Sequence, residues 1–263
     1  MQVIINADDF GLDADTVAAT ESAIREGVVT SATLMANMAG TGRALQIARA
    51  TPGVSFGVHL TFAAGSTEAP LSPPERTPSL VDEDGRHFAS PHRIRLRALA
   101  GRLRAEDVAT EARAQLAFVA DHGVRISHVD SHYHLHKYAA IRSALQPVLR
   151  AFGIVRMRSP QNVRAGLQPW RPTWWSGPRA ARRLRRAHAS TDWFVMLNDG
   201  RPSRWWLRYE ALLAGDGTLE FGCHPGLAPG WRLDELEAAR GFAAWCDARR
   251  LRRVDWRVIG PPA

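Results

Sequence analysis

Four histidines and an aspartate (His128, Asp130, His132, His134 and His136) stand on every second residue of the stretch HVDSHYHLH. If that stretch is extended throughout, strict alternation points all five side chains to one side. Five polar groups cannot share a dry core face unless they bind something or one another. The stretch is therefore expected at an exposed strand end or around a metal ion. Three further clusters carry the same residue types: NADDFG with Asp8 and Asp9, GVHL with His59, and CHPG with His224. Taken singly, each has an ordinary explanation. Asp9 could cap a helix, His59 could be a satisfied core histidine, and His224 could bond a turn carbonyl.

The elements around these clusters decide between the readings. QVIIN is a short apolar run that stops at a polar cluster, the mark of a buried strand. DADTVAATESAIREGV follows with acidic residues at its start and Gly27 near its end, as helix start and stop signals require. TSATLMAN, a helix closed by Pro52, and VSFGVHL continue the alternation. Strand, helix, strand at this spacing means crossover connections and a parallel sheet. After a proline-rich loop over about 61–90 the pattern resumes. It gives helix 104–122, strand VRISHVD, helix 138–152 and strand GIVRMR. An irregular, Trp-rich and basic insertion over about 160–188 precedes DWFVML, a helix near 203–213, GTLEFGC, helix 232–250 and a last strand VDWRVI. The fold expected is α/β: one distorted (β/α) barrel over 1–263, TIM-barrel-like, with about seven strands. Each polar cluster then falls at a strand's carboxyl end, and those ends meet at one face. That convergence argues for a shared metal site.

Composition narrows the setting. Apolar residues make up 45% and charged residues 23% of the 263, as in an ordinary globular chain. MQVII is too short for a secretory core, no apolar run approaches the roughly 20 residues of a membrane span, and Cys223 and Cys246 give no disulfide framework. A cytoplasmic protein is expected. The net charge of +8 is almost all arginine and spread along the chain, so nucleic-acid binding is not expected.

INADDFGL, GVHL, HVDSHYHLH and CHPG, in this order, resemble the YdjC-type carbohydrate deacetylases, which include chitooligosaccharide deacetylases. EGVVTSATLMAN resembles that family's second strand. The resemblance implies a distorted barrel holding one divalent metal ion, Mg2+ or Zn2+, through Asp9, His59 and His132. It implies Asp8 as the catalytic base and His224 as the catalytic acid. Two imidazoles and one carboxylate leave a coordination position open for water and a substrate carbonyl. Histidine favours zinc, while the carboxylate and open waters permit magnesium.

Asp130 is then a candidate to orient a ligand, and His128, His134 and His136 to support the site or touch substrate. The implied substrate is an N-acetylated amino sugar, either an oligosaccharide or a glycolipid such as an N-acetylglucosaminyl hopanoid. Trp174 and Trp175, beside the basic run RAARRLRR, suit sugar stacking or a peripheral membrane contact, and a homodimer is compatible with this reading. Two other functions are weighed: a metal-dependent phosphoesterase on a similar barrel, and an inactive carbohydrate-binding homologue. A phosphate substrate should bring several cations to the strand ends, where Lys137 is the only one beside a motif.

Overall fold

The structure, a computed structural model, describes residues 1–63, 69–160, 172–196 and 204–260, with the backbone alone over 172–178. The chain runs β1 (Gln2–Phe10), α1 (Ala14–Arg25), β2 (Ser31–Leu34), α2 (Thr41–Ala50) and β3 (Ser55–Leu60). It continues through α3 (Pro91–Leu99), α4 (Ala105–Asp121), β4 (Ile126–Ser131), α5 (Ala139–Ala151) and α6 (Pro172–Arg185). β5 (Trp193–Met196), α7 (Glu210–Leu213), β6 (Thr218–Cys223), α8 (Trp231–Ala248) and the short β7 (Arg252–Arg253) complete it. The strands form one parallel sheet in the order β4-β3-β2-β1-β6-β5, with β7 beside the start of β1. Burial on both faces explains why β1 and β3 read as near-continuous apolar runs.

The sheet is a curled half-barrel, in keeping with the distorted (β/α) barrel expected, but it is not closed. Among the described residues, its β4 edge is tied to the β5 side by single bridges, Val129 to Met157 and Arg156 to Ala189. The run GIVRMR therefore supplies a tether and not a full strand, and its last arginine, Arg158, is carried into the interior. The last strand expected, VDWRVI, is also absent. Asp255 caps a 3-10 turn at Trp256–Val258, and the buried Trp256 ring stacks on His128 at 4.4 Å. Together with Ile4, Ala189 and Ile259, that indole fills the end of the sheet's interior away from the polar clusters. Burying a large ring there outweighs the β-propensity of the run.

The proline-rich segment is more ordered than a loop reading implies, over its described part. Asp107, Glu111 and Gln115 lie one turn apart on α4, so all three side chains face the same way. Glu111 accepts the Leu71 and Ser72 backbone N–H groups at 3.0 and 2.9 Å, and Asp107 accepts that of Ser79 at 2.8 Å. Gln115 exchanges hydrogen bonds with the backbone of Thr61 at 2.9 and 2.7 Å and donates to Glu111 at 2.8 Å. Buried backbone donors need partners, and α4 provides them. The helix α3 that follows was not foreseen. Glu111→Ala should therefore lower unfolding stability by about 2–3 kcal/mol, because buried donors lose their acceptor. Urea denaturation checks the loss, and limited proteolysis should show new cleavage within residues 69–90.

Candidate functional site

The strand ends bring Asp8, Asp9, His59, Asp130, His132 and His224 to one pole of the sheet. Asp8 follows ordinary alternation: it points inward like Asn6, whose amide donates to it at 2.8 Å. Alternation would turn Asp9 away. Instead its backbone is left-handed (φ 58°), the β1–β2 register shifts between Ala7 and Phe10, and the carboxylate swings over the same pole. Aspartate tolerates this region better than most residues.

The alternation expected of HVDSHYHLH stops at Ser131. Residues His132–Lys137 form a 3-10 turn in which Tyr133 and His134 are left-handed (φ 56° and 53°). Only His132 is hooked back to Asp9. His128 faces Trp256, and a Cβ on Gly57 would meet its ring at 2.6 Å, so β3 needs glycine there. His136 pairs with the Ser131 hydroxyl at 2.8 Å, and His134 lies edge-on to Phe194 at 5.6 Å. Burial, reinforced by Arg158, holds the pKa values of all three well below the usual histidine range. They pack as neutral interior groups and are not gathered around Asp9. The side chains of Trp174 and Trp175 fall outside the described residues.

Among the described residues, Asp9, His59 and His132 make one of two groups of side chains able to hold a metal ion. Asp9 Oδ1 lies 3.2 Å from His59 Nε2 and 2.9 Å from His132 Nδ1, and the two nitrogens are 3.4 Å apart. Ligand atoms about 2.0–2.1 Å from one ion, at angles of about 90–110°, are separated by about 2.8–3.4 Å. The triangle has the size an ion requires. Asp9 Oδ1 is moreover buried without a hydrogen-bond donor. His59 Nδ1 donates to Asp130 at 2.7 Å, which turns the lone pair of Nε2 toward the triangle. Burial opposes charge on His59, yet Asp130, Asp9 and Asp8 outweigh it and push its pKa up to about 10. The pocket is built to hold positive charge.

The second donor group, Asp8, His59 and Asp130, is already served by a cation. The wholly buried Arg158 forks onto Asp8 at 2.6 and 2.7 Å, contacts Asp130, and donates twice to Glu220 at 2.9 and 2.7 Å. Burial disfavours the Asp8 anion, but Arg158 prevails and holds its pKa below the usual carboxylate range. Glu220 is the opposite case: burial, with Asp8 and Asp130 beside it, pushes its pKa up to about 7.

Two residues at the start of α8 complete the pole. Arg232 donates to the second oxygen of Asp9 at 2.7 Å. Glu235 accepts both the His224 backbone N–H at 2.8 Å and its ring Nδ1 at 3.0 Å. Burial works against charge on His224, yet Glu235, Asp9 and Asp8 raise its pKa above the usual value. The intervening turn is pinned by Asp15, which accepts from Leu227 and Ala228. A Cβ on Gly226 would lie 2.7 Å from that of Arg232 and 2.9 Å from Asp15, so the close approach needs glycine. Arg158, Glu220, Arg232 and Glu235 were not singled out from sequence. Arg158 and Arg232 also overturn the expectation that Lys137 is the only cation near the motifs, although both are committed to carboxylates.

Removing the buried cation should be costly. Arg158→Met is expected to destabilise the protein by about 3–5 kcal/mol, since it strands Asp8 and Asp130. Glu220→Gln should be far milder near pH 7, where Glu220 already shares a proton. Because the folded-state pKa of Glu220 lies above its ordinary 4.5, the native protein takes up the extra proton. This group's contribution to stability therefore falls as pH rises from about 4.5 to about 7. Urea midpoints measured across that range should lose this slope in Glu220→Gln.

A profile of the YdjC-like protein family matches residues 2–254. A carbohydrate deacetylase of Halalkalibacterium halodurans is 28% identical over 86% of this chain and 85% of its own length. One of Brevibacillus brevis is 39% identical over 54% of this chain, and the match spans about half, 52%, of that relative. Among solved structures, a protein of Enterococcus faecalis V583 described as a cellobiose-phosphate cleavage protein superposes with a TM-score of 0.79 at 22% identity. The superposition covers 97% of both chains and speaks to the fold alone. With a match running from the first strand to the residue after the last, the chain belongs to the YdjC-like protein family.

Proposed function

We propose that this chain, acting as one unit over 1–263, is a divalent-metal-dependent hydrolase that removes the acetyl group from an N-acetylated amino sugar. The triangle of Asp9 Oδ1, His59 Nε2 and His132 Nδ1 carries the proposal, with Asp8 and the His224–Glu235 pair beside it. The relatives named as carbohydrate deacetylases support the substrate class. Asp9, His59 and His132 would hold the ion, Mg2+ or Zn2+; when bound, it lowers the pKa of a coordinated water and polarises the amide carbonyl.

Asp8 takes the proton of the attacking water. Its clamp to Arg158 keeps it ionised and gives it a fixed aim, at the expense of basicity, so it relays the proton rather than keeping it. His224, whose protonated form Glu235 favours, donates to the nitrogen as the carbon–nitrogen bond breaks and the amine departs. Acetate and the free amino sugar result. Asp130 orients His59 by fixing its tautomer.

The substrate is a free oligosaccharide or a glycolipid such as an N-acetylglucosaminyl hopanoid. No helix among the described residues is long and apolar enough to cross a membrane. For a lipid substrate, the exposed Arg179, Arg182 and Arg183 of α6 give a cytoplasmic enzyme a basic surface for peripheral contact. Trp174 and Trp175, on the same helix, remain candidates for the substrate wall.

Acetate release from a panel of N-acetylated sugars, with and without chelator, tests the reaction. Asp8→Asn should retain the metal and lose about 10²- to 10⁴-fold in turnover, whereas His132→Ala should lose both metal and turnover. Near-wild-type turnover in Asp8→Asn would remove the base assignment. The acid has its own signature. Protonated His224 is required, so kcat/KM falls as pH rises through its raised pKa. Glu235→Gln should move that alkaline limb to lower pH, and a pH–rate profile with an unmoved limb would exclude His224 as the acid.

A further inference from the structure

We propose that Trp231 is the platform on which the sugar ring of the substrate stacks. The inference rests on the deacetylase reading and adds the group that recognises a pyranose. Trp231 opens α8, directly after the turn that follows His224. Its ring lies edge-on to the His224 imidazole, with centroids 5.4 Å apart. It is nevertheless 43% exposed, unlike Trp205, Trp206 and Trp256, which are all buried. An indole left open to water beside titratable groups offers an apolar surface on which a ligand can pack.

The surroundings restrict how that occupant approaches. The Arg232 guanidinium lies over the ring, 4.5 Å from its centroid, and covers one face. The same guanidinium donates to Asp9 at 2.7 Å, so it cannot swing away without releasing that carboxylate. One face of the indole is thus fixed against protein, and the opposite face is the one a ligand can reach. Glu235 holds His224 from the other side at 3.0 Å, which sets the imidazole and indole in one frame.

The reaction then dictates the chemistry of the ligand. The nitrogen that departs from the acetyl carbon receives its proton from His224, and that nitrogen is bonded directly to the sugar ring. The sugar must therefore lie on the His224 side of the site, and the acetyl group on the Asp9, His59 and His132 side. Trp231 borders the first, through its contact with the His224 ring. A pyranose carries an apolar face of C–H groups that packs on an indole, while its hydroxyls stay at the wet rim. Arg232 links the halves, since it grips Asp9 while supporting the ring that receives the sugar.

Steady-state kinetics on the metal-loaded enzyme tests the proposal, using an N-acetylated chitooligosaccharide and a simple alkyl acetamide as alternative substrates. Trp231→Ala should raise KM for the sugar about ten-fold, the scale of one aromatic contact, with kcat changed far less. Trp231→Phe should recover most of the loss, and turnover of the alkyl acetamide should be unaffected by either change. Calorimetric titration of the deacetylated oligosaccharide into chelator-treated protein gives a readout independent of activity, and its affinity should fall in parallel. Unchanged KM and affinity in Trp231→Ala, with an unaltered melting temperature, would overturn the proposal. So would an equal loss on sugar and alkyl substrates, which would mean that the ring only supports His224 or Arg232. If the wild type released no acetate yet bound the oligosaccharide through Trp231, the platform would stand and the deacetylase reading would fall.

Discussion

One guanidinium holds the polar interior together. Arg158 reaches carboxylates from three strands: Asp8 on β1, Asp130 on β4 and Glu220 on β6. Three carboxylates in one dry interior are costly without a partner, because burial strips their water and each repels the others. The planar fork satisfies them with directed bonds, and so fixes where each carboxylate points. Its grip on one oxygen of Asp130 leaves the other for His59. Replacing such a cluster by apolar residues is often neutral or favourable for stability. Its value here lies in orientation: one cation aligns the proposed base and, through Asp130, a proposed metal ligand.

The site also depends on breaking the regularity of the strands that carry it. A parallel strand offers only alternate residues to one side, yet Asp8 and Asp9 are adjacent and both serve the same pole. The left-handed turn at Asp9 and the register shift beside it solve that problem, and the left-handed pair Tyr133 and His134 does the same for His132. Backbone conformations of this kind each cost on the order of 1–3 kcal/mol for ordinary residues and persist only where their surroundings hold them. The surroundings are visible: Asp9 is held by Arg232, and the His132 ring packs on Tyr133 at 4.0 Å.

What could be read from sequence follows from these features. The order of strands and helices was legible, because apolar runs ending in polar clusters mark strand ends whatever their partners are. So was the arrival of Asp8, Asp9, His59, His132 and His224 at one end of the sheet, which follows from parallel strands, whereas the left-handed turns that aim Asp9 and His132 were not. The fates of His128, His134 and His136 were not, because tertiary contacts with Trp256 and Phe194 and two left-handed residues override the local alternation. Arg158 and Arg232 carried no signal in a chain with 34 lysines and arginines, where a buried arginine looks like any other. Glu220 did leave a trace, a charge inside the apolar run of GTLEFGC. The missing strand at VDWRVI reflects one ring, Trp256, whose burial outweighs the propensity of its neighbours.

The central place of β1 has a consequence for biosynthesis. β1 leaves the ribosome long before β6, yet it pairs with β6 over Gln2–Ala7, and Cys223 meets Asn6 across a sequence separation of 217. At about 5–20 residues per second the β6 side of β1 waits roughly 10–40 s for its partner. β2 can cover the opposite side early. The apolar run of β1, with unpaired backbone groups along one edge, is meanwhile a template for any other strand that reaches it. A nascent chain of this topology is a natural client for a holding chaperone until β6 has emerged. A circular permutant that places β6 and α8 ahead of β1 would shorten that exposure, because the central pair could then form as soon as β1 emerged.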